Sequence, residues 1–411
     1  MPEMTIGIIG GGAAGMMAAI TAARQGAAVT VLEGNTRLGK KLLSTGNGKC
    51  NLGNRNLDVT EYYCGEPERL QVFLNRFGTD EVVSFFQGLG VVLKEKNGYL
   101  YPACEQASAV QDALRYELRE LGVHQVTDCK VDSVERNSQT GKIRVSGSGG
   151  SFVFDHVIMA CGGKAAPKTG SDGSGFELAR QLGHSVTPLV PALVQLRCRE
   201  NYLKSVAGVR AEAQISVYSG SDCVAVERGE LQLTDYGLSG IPVFQVSRQV
   251  NYILSAREEV EIQVDFLPDY SPEVYEQLRI SRNLLLQDGR TVEEYFTGML
   301  HKKLMMLFIR LAGLKPGESI READPELVKK VYGLCRQWKL HVTGSHSYDS
   351  AQVCAGGVPL AEVTDQLEST KTPGVYFAGE ILDVDGRCGG YNLQWAWSSG
   401  YLAAMAASRE R

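Results

Sequence analysis

Three glycines, Gly10, Gly12 and Gly15, stand in the spacing G-x-G-x-x-G, and an acid, Glu33, follows 18 residues after the last of them. That pattern suits one kind of chemistry, the holding of a dinucleotide pyrophosphate. Gly10 permits a sharp turn, Gly12 leaves a phosphate room against the backbone, and Gly15 lets a helix press on a strand. Ala13 and Ala14 lie between them, where free N–H groups and the positive end of a helix dipole would face the anion. Glu33 would accept hydrogen bonds from a ribose diol, which favours a ribose without a 2′-phosphate. Arg37 is near enough in sequence to keep the phosphorylated form open. The motif alone does not separate NAD from FAD.

Positioning these groups takes a strand, a turn, a helix and a second strand. Residues 5–9 are a short apolar run of the length of a buried parallel strand. Residues 16–25 read as an Ala-rich helix ended by Gly26, and residues 29–32 as the second strand, closed by Glu33. Glycine spacing with all of these flanking elements is far more specific than glycine spacing alone.

Near the C-terminus, residues 372–380 form a strand pattern ending in Gly379-Glu380, and residues 393–407 read as a helix. Between them lie Asp385, Gly390, Tyr391 and Asn392, ahead of Leu393. This resembles the closing element of FAD-binding folds in the glutathione-reductase-like superfamily. The resemblance implies that Glu380 holds the ribityl chain and that the last helix aims its N-terminus at the flavin pyrimidine edge, where its dipole would stabilise an anionic reduced flavin.

Three further segments sharpen the likeness: residues 39–51 (GKKLLSTGNGKCN), 157–163 (VIMACGG) and 351–358 (AQVCAGGV). With the C-terminal motif they resemble, almost end to end, the bacterial flavoprotein family of BaiN-like bile-acid reductases and aminoacetone-oxidase-type flavoproteins. The resemblance implies FAD as cofactor. It implies binding residues Lys40, Lys41, Thr45, Gly46, Asn47, Lys49, Cys50 and Asn51 in the first segment and Gly162 in the second. At the C-terminus it implies Gly379, Glu380, Asp385, Gly390, Tyr391, Asn392 and Leu393, and by analogy Val131 would read the adenine through its backbone. Lys49 stands where many members have Arg, which weakens any transfer of substrate.

The expected fold class is therefore α/β, a Rossmann-like FAD-binding domain with an inserted β-barrel-like domain and a helical subdomain. Residues 1–190 and 352–411 read as the FAD domain. Residues 191–268 and 339–351 read as an inserted β-rich domain, strand-like from 213 to 266 and from 340 to 348, with a hairpin turn at residues 219–222. Residues 269–338 turn helical, and Thr291 with Glu294 makes a capping box. Composition excludes other classes. A net charge of −5 with no Lys/Arg run argues against nucleic acid or an anionic membrane as main partner. The ten cysteines show no C-x-x-C pair and no zinc spacing, which points to reduced thiols, a cytoplasmic chain and no metal.

By resemblance, the lead expectation is an NAD(P)H-dependent reductase of an activated C=C bond in an apolar, steroid- or bile-acid-like small molecule. A flavin amine oxidase acting on a small amino-ketone with dioxygen is the alternative, and a flavin-binding redox sensor with little turnover is a third. Only one full dinucleotide fingerprint exists, so NAD(P)H would bind transiently. Tyr236 and Tyr391 are the candidate proton donors to an enolate. His341 and His346 read as hydrogen-bonded histidines of a strand region.

Overall fold

The computed structural model describes residues 4–409. It divides into two compact units, one running to Pro191 and resuming at Tyr348, the other Ala192–Ser347.

The first unit is built on a five-stranded parallel sheet. In spatial order its strands are Val375–Phe377, His156–Met159, Thr5–Ile9, Ala28–Leu32 and His124–Val126. Ile6, Ile8, Val31, Ile158 and Phe377 are wholly buried, as befits strands covered on both faces. Each such side chain contributes roughly 1.5–3 kcal/mol of hydrophobic stabilisation. Counted along the chain, the order is 5-4-1-2-3, so the direction of winding reverses between Thr5–Ile9 and His156–Met159. Ligands of open α/β sheets bind at that reversal, beyond the carboxyl ends of the strands.

The helix after the first strand spans Ala13–Arg24, three residues earlier than the sequence pattern suggests. Ala13 and Ala14 are good helix formers, and the backbone of Gly12 serves as the N-cap. The last helix, Tyr391–Ala407, likewise begins two residues early, because Gly390 turns the chain at φ +93°. It is apolar nearly all round and largely buried. A Cβ on Gly400 would lie 2.4 Å from the Ala14 carbonyl oxygen, so the first and last helices meet backbone to backbone.

The second unit holds a closed barrel of strands Leu196–Cys198, Gly237–Gly240, Asp222–Leu233, Arg210–Ser219, Val260–Asp265 and Trp338–Ser345. Alternation places Ile215, Val217, Leu231, Ile262, Val264 and Leu340 in its core. The hairpin turn falls at Ser219 and Asp222, as the sequence suggests. The strand-like reading fails over Ile241–Ser255, which is a helix started at Gly240 and Pro242; helices Pro272–Arg282, Val292–Phe296, Lys302–Ala312 and Pro325–Arg336 follow. The capping box is formed: Thr291 N donates to Glu294 Oε2 at 2.8 Å, and Glu294 N to Thr291 Oγ1 at 3.2 Å. Phe296 and Phe308 share one core with the barrel, and the Phe308 and Trp338 rings lie 5.3 Å apart. Among the described residues, no helix is long and apolar enough to cross a membrane.

Candidate cofactor and active site

The glycine turn sits at the sheet's reversal point. Gly10, at φ +101°, donates its N–H to the Leu32 carbonyl at 2.8 Å. A Cβ there would meet the Ala160 carbonyl oxygen at 2.4 Å, and one on Gly15 would meet the Gly10 carbonyl oxygen at 1.9 Å. These two glycines are therefore required by the fold itself. Gly12 differs, since no atom lies within 4 Å of a Cβ placed on it. The helix behind it has no side-chain cap and no acid in its first turn. Its N–H groups and dipole thus face open space, the setting an anionic phosphate fits.

Glu33 is buried (8% exposed) at the end of the second strand. Its Oε2 accepts from Gly11 N at 2.7 Å, and its Oε1 from Asn35 N at 2.8 Å and Asn35 Nδ2 at 2.7 Å. The acid is held beside the glycine turn, where a ribose next to a pyrophosphate would lie. Val131 is buried in the strand Val131–Arg136, paired with Gly147. Lys40 is exposed and only 3.4 Å from Asn35 Oδ1.

The C-terminal motif closes on the same turn. A Cβ on Gly379 would come within 2.9 Å of Ala14 Cβ. Lys41 Nζ lies 2.8 Å from Glu380 Oε2, and Glu380 Oε1 accepts from Cys354 N at 2.8 Å. Gly162, at φ +72°, would meet Ser171 Oγ at 2.8 Å if it carried a Cβ. Burial pushes the thiols of Cys161 and Cys354 up to about 12, so both are neutral packing groups.

A second cluster surrounds the start of the last helix. Gly46, Asn47, Gly48 and Cys50 all have positive φ, and Gly46, Asn47 and Gly48 present exposed backbone beside Thr45. Thr45 Oγ1 donates to the Leu42 carbonyl at 2.7 Å. In the orientation that satisfies its amide, Asn51 donates to the carbonyls of Gly53 (2.9 Å) and Leu100 (3.1 Å) and accepts from Gly390 N (3.2 Å). Asn392 closes the loop before the helix, accepting from Gly386 N at 2.8 Å and donating to its carbonyl at 2.7 Å. Asp385 is 2% exposed in a short ladder opposite Tyr63, and Leu393 is half-buried in the helix's first turn. Cys50 is buried, its thiol pushed up to about 12.

Two of the sequence candidates take unexpected partners, and the hydroxyl of a third takes none among the described residues. Lys49 pairs with Glu105 at 2.7 Å, and Glu105 also pairs with Lys94. The two lysines hold the Glu105 carboxyl down to about 2. The Tyr391 hydroxyl donates to the Asn56 carbonyl at 3.3 Å, and its phenol is pushed up to about 12 by burial. Tyr236 belongs to the other unit, in the turn before the strand Gly237–Gly240, and among the described residues its hydroxyl has no hydrogen-bond partner. Glu105 is not legible as a site neighbour, since it arrives through a fold contact that carries no motif.

A parallel sheet in this order, with a glycine turn and an open helix start at its reversal point, defines a Rossmann-type dinucleotide-binding protein. Residues 4–406 match the family described as HI0933-like protein Rossmann domain, and the chain belongs to that family. It is 43% identical over 98% of both chains to 3-dehydro-bile acid delta(4,6)-reductase of Clostridium scindens. It is 30% identical, again over 98% of both chains, to ribosomal RNA dihydrouridine synthase of Haemophilus influenzae. Among solved structures it resembles 3-ketosteroid delta1-dehydrogenase of Sterolibacterium denitrificans, with a TM-score of 0.53 and 13% identity. That match covers 98% of this chain and 99% of the other and is a likeness of fold.

Proposed function

We propose that this chain is an FAD-dependent oxidoreductase that takes electrons from NAD(P)H and reduces a C=C bond conjugated to a carbonyl in an apolar, steroid-like molecule. The observation that carries the reading is the end-to-end likeness to a bile acid reductase. The second relative's name denotes the same class of reaction on another substrate, because dihydrouridine is a uridine whose ring C=C, conjugated to a carbonyl, has been saturated. The steroid substrate is favoured over RNA by the higher identity and by a net charge of −5, since a polyanion is held by a surplus of Lys and Arg.

When bound, the flavin supplies hydride transfer through N5. The residues present fit such a group. The Gly12 backbone and the start of the first helix take the pyrophosphate, and Glu33 the adenosine ribose, with the Val131 backbone at the adenine. Lys41 and Glu380, with Gly162 and Gly379 beside them, would hold the ribityl chain. Residues 45–51 and 390–393 give backbone faces for a flat ring, and the dipole of the last helix stabilises negative charge at its start. Tyr236 is the candidate donor of the proton that completes the reduction at the α-carbon. NAD(P)H binds transiently, without a second glycine fingerprint. All ten cysteines are free, which supports a reducing, cytoplasmic setting.

Anaerobic mixing with NADH or NADPH tests the reading: the flavin bleaches, and an enone restores its colour. Bleaching only by an amine, with peroxide on re-aeration, would make the chain an amine oxidase. A flavin bleached by no small molecule would make it a sensor.

A further inference from the structure

The last helix, Tyr391–Ala407, is entered through two consecutive glycines that its surroundings require. A Cβ on Gly389 would lie 2.8 Å from the Tyr391 ring, and one on Gly390 would lie 2.6 Å from the Gly53 carbonyl oxygen. Their φ angles, +141° and +93°, lie in the region that other residues rarely adopt. The peptide group between them thus has no Cβ on either side to restrain it, and only hydrogen bonds keep it from turning.

Two asparagines supply those bonds, one at each polar end. Asn51 Oδ1 accepts from Gly390 N at 3.2 Å, and Asn54 Nδ2 donates to the Gly389 carbonyl at 3.1 Å. That carbonyl and that N–H belong to one peptide group, so it is gripped from both sides. Asn54 is itself firmly set. It is 4% exposed, and its Oδ1 accepts from Asn56 N at 2.9 Å, which leaves the amide nitrogen to face Gly389. Its own carbonyl accepts from Thr79 Oγ1 at 2.8 Å, and the strand Gly53–Asn54 pairs with Leu100 and Tyr99. The Leu52 carbonyl accepts from Trp397 Nε1 at 3.0 Å, a second tie from the same stretch to the same helix. The helix has no side-chain cap and no acid in its first turn, so its first N–H groups depend on this turn for their direction.

We infer that Asn54 is a positioning residue for the flavin: with Asn51 it locks the Gly389–Gly390 peptide and thereby fixes the start of the last helix against the pyrimidine edge. The inference rests on the reading that FAD binds with this edge at the helix start, and it does not depend on which substrate is reduced. Removing the Asn54 donor leaves the Gly389 carbonyl unpaired and the peptide able to turn, and the first N–H groups lose their fixed direction. Their dipole favours negative charge, so the loss falls on the anionic reduced flavin far more than on the neutral oxidised one. The midpoint potential of the bound flavin therefore drops.

The test uses the FAD-loaded full chain, titrated anaerobically with dithionite beside a reference dye. Asn54→Leu is expected to weaken binding of reduced relative to oxidised FAD about 10-fold, a fall of about 30 mV for a two-electron couple. Affinity for oxidised FAD stays within about 3-fold of the wild type. Asn54→Ser, whose hydroxyl is too short to reach Gly389 and leaves room for water, is the second variant and is expected to lower the potential in the same direction. Thr79→Val removes a bond to the same strand without touching the clamped peptide. It is expected to lower the unfolding temperature and to hold the potential within about 2-fold of the wild-type ratio, or about 9 mV. Potentials of the Asn54 variants within that margin, or a Thr79→Val shift as large as theirs, overturn the inference while the FAD reading stands. A wild-type chain that binds no FAD overturns both.

Discussion

Lys41 and Glu380 are 339 residues apart in the chain, yet Lys41 Nζ lies 2.8 Å from Glu380 Oε2. The pair joins the segment after the glycine turn to the C-terminal motif, and both side chains are about four-fifths buried. Glu380→Gln keeps an acceptor for the Cys354 N–H and removes the charge that faces Lys41. The expected outcome is FAD affinity lowered about 10-fold, equivalent to about 1.4 kcal/mol. Apoprotein titrated with FAD, followed by quenching of flavin fluorescence, checks it.

Two glycines of one motif are predicted to fail differently. Gly15→Ala forces a Cβ to within 1.9 Å of the Gly10 carbonyl oxygen and destabilises the apoprotein, by roughly 1–3 kcal/mol or more. Gly12→Ala places its methyl in open space and costs no more than about 1 kcal/mol. It nevertheless lowers FAD affinity, because the methyl occupies the approach a phosphate needs. Thermal unfolding of both apoproteins, set beside FAD titrations, separates fold from cofactor.

Tyr391→Phe is expected to leave turnover within about 3-fold of the wild type, since a proton donor that acts contributes at least about 100-fold. Its hydroxyl is spent on the Asn56 carbonyl, and its ring packs edge-on to Tyr62 at 5.6 Å. Steady-state kinetics of Tyr391→Phe beside Tyr236→Phe checks the contrast.

Ser369, His184 and Glu362 are linked as Ser369 Oγ to His184 Nε2 at 2.6 Å and His184 Nδ1 to Glu362 Oε2 at 2.9 Å. The arrangement is that of a hydrolase triad, but Ser369 is 4% exposed and its hydroxyl accepts from Lys371 N and Thr372 N. Such a serine is a structural tie. Burial, outweighing the pull of Glu362, lowers the His184 pKa below its ordinary value, so the unfolded chain binds a proton first. The stability this group contributes is present above about pH 6.5 and is lost as pH falls through the lower folded value. Unfolding by urea across that range is expected to show stability falling on acidification, with a shallower slope for His184→Gln.

What was legible in the sequence is what local pattern encodes. Gly10, Gly12, Gly15 and Glu33 announce the turn and its acid because the motif and its flanking strands are contiguous. The barrel strands show themselves by alternation, as with Val260, Ile262 and Val264, whose intervening residues are less buried. The helix starts at Ala13 and Tyr391 were missed because Gly12 and Gly390 cap by backbone geometry, which leaves no side-chain signature. The Lys41–Glu380 pair, the Ser369–His184–Glu362 chain and the tilted packing of His346 against Tyr236 arise from residues distant in sequence. Their types alone carry no sign of which partner the fold will bring.

The account's central claim is that electrons pass from the bound flavin to a conjugated C=C bond. One anaerobic measurement tests it most directly: the holoprotein, its flavin reduced beforehand, is titrated with the 3-oxo-4,6-diene steroid acid, and the recovery of flavin absorbance is followed. The account predicts that full oxidised colour returns at no more than one equivalent of the dienone, with one C=C bond saturated for each flavin reoxidised. A flavin that stays bleached in excess enone and recovers only when air is admitted would contradict it.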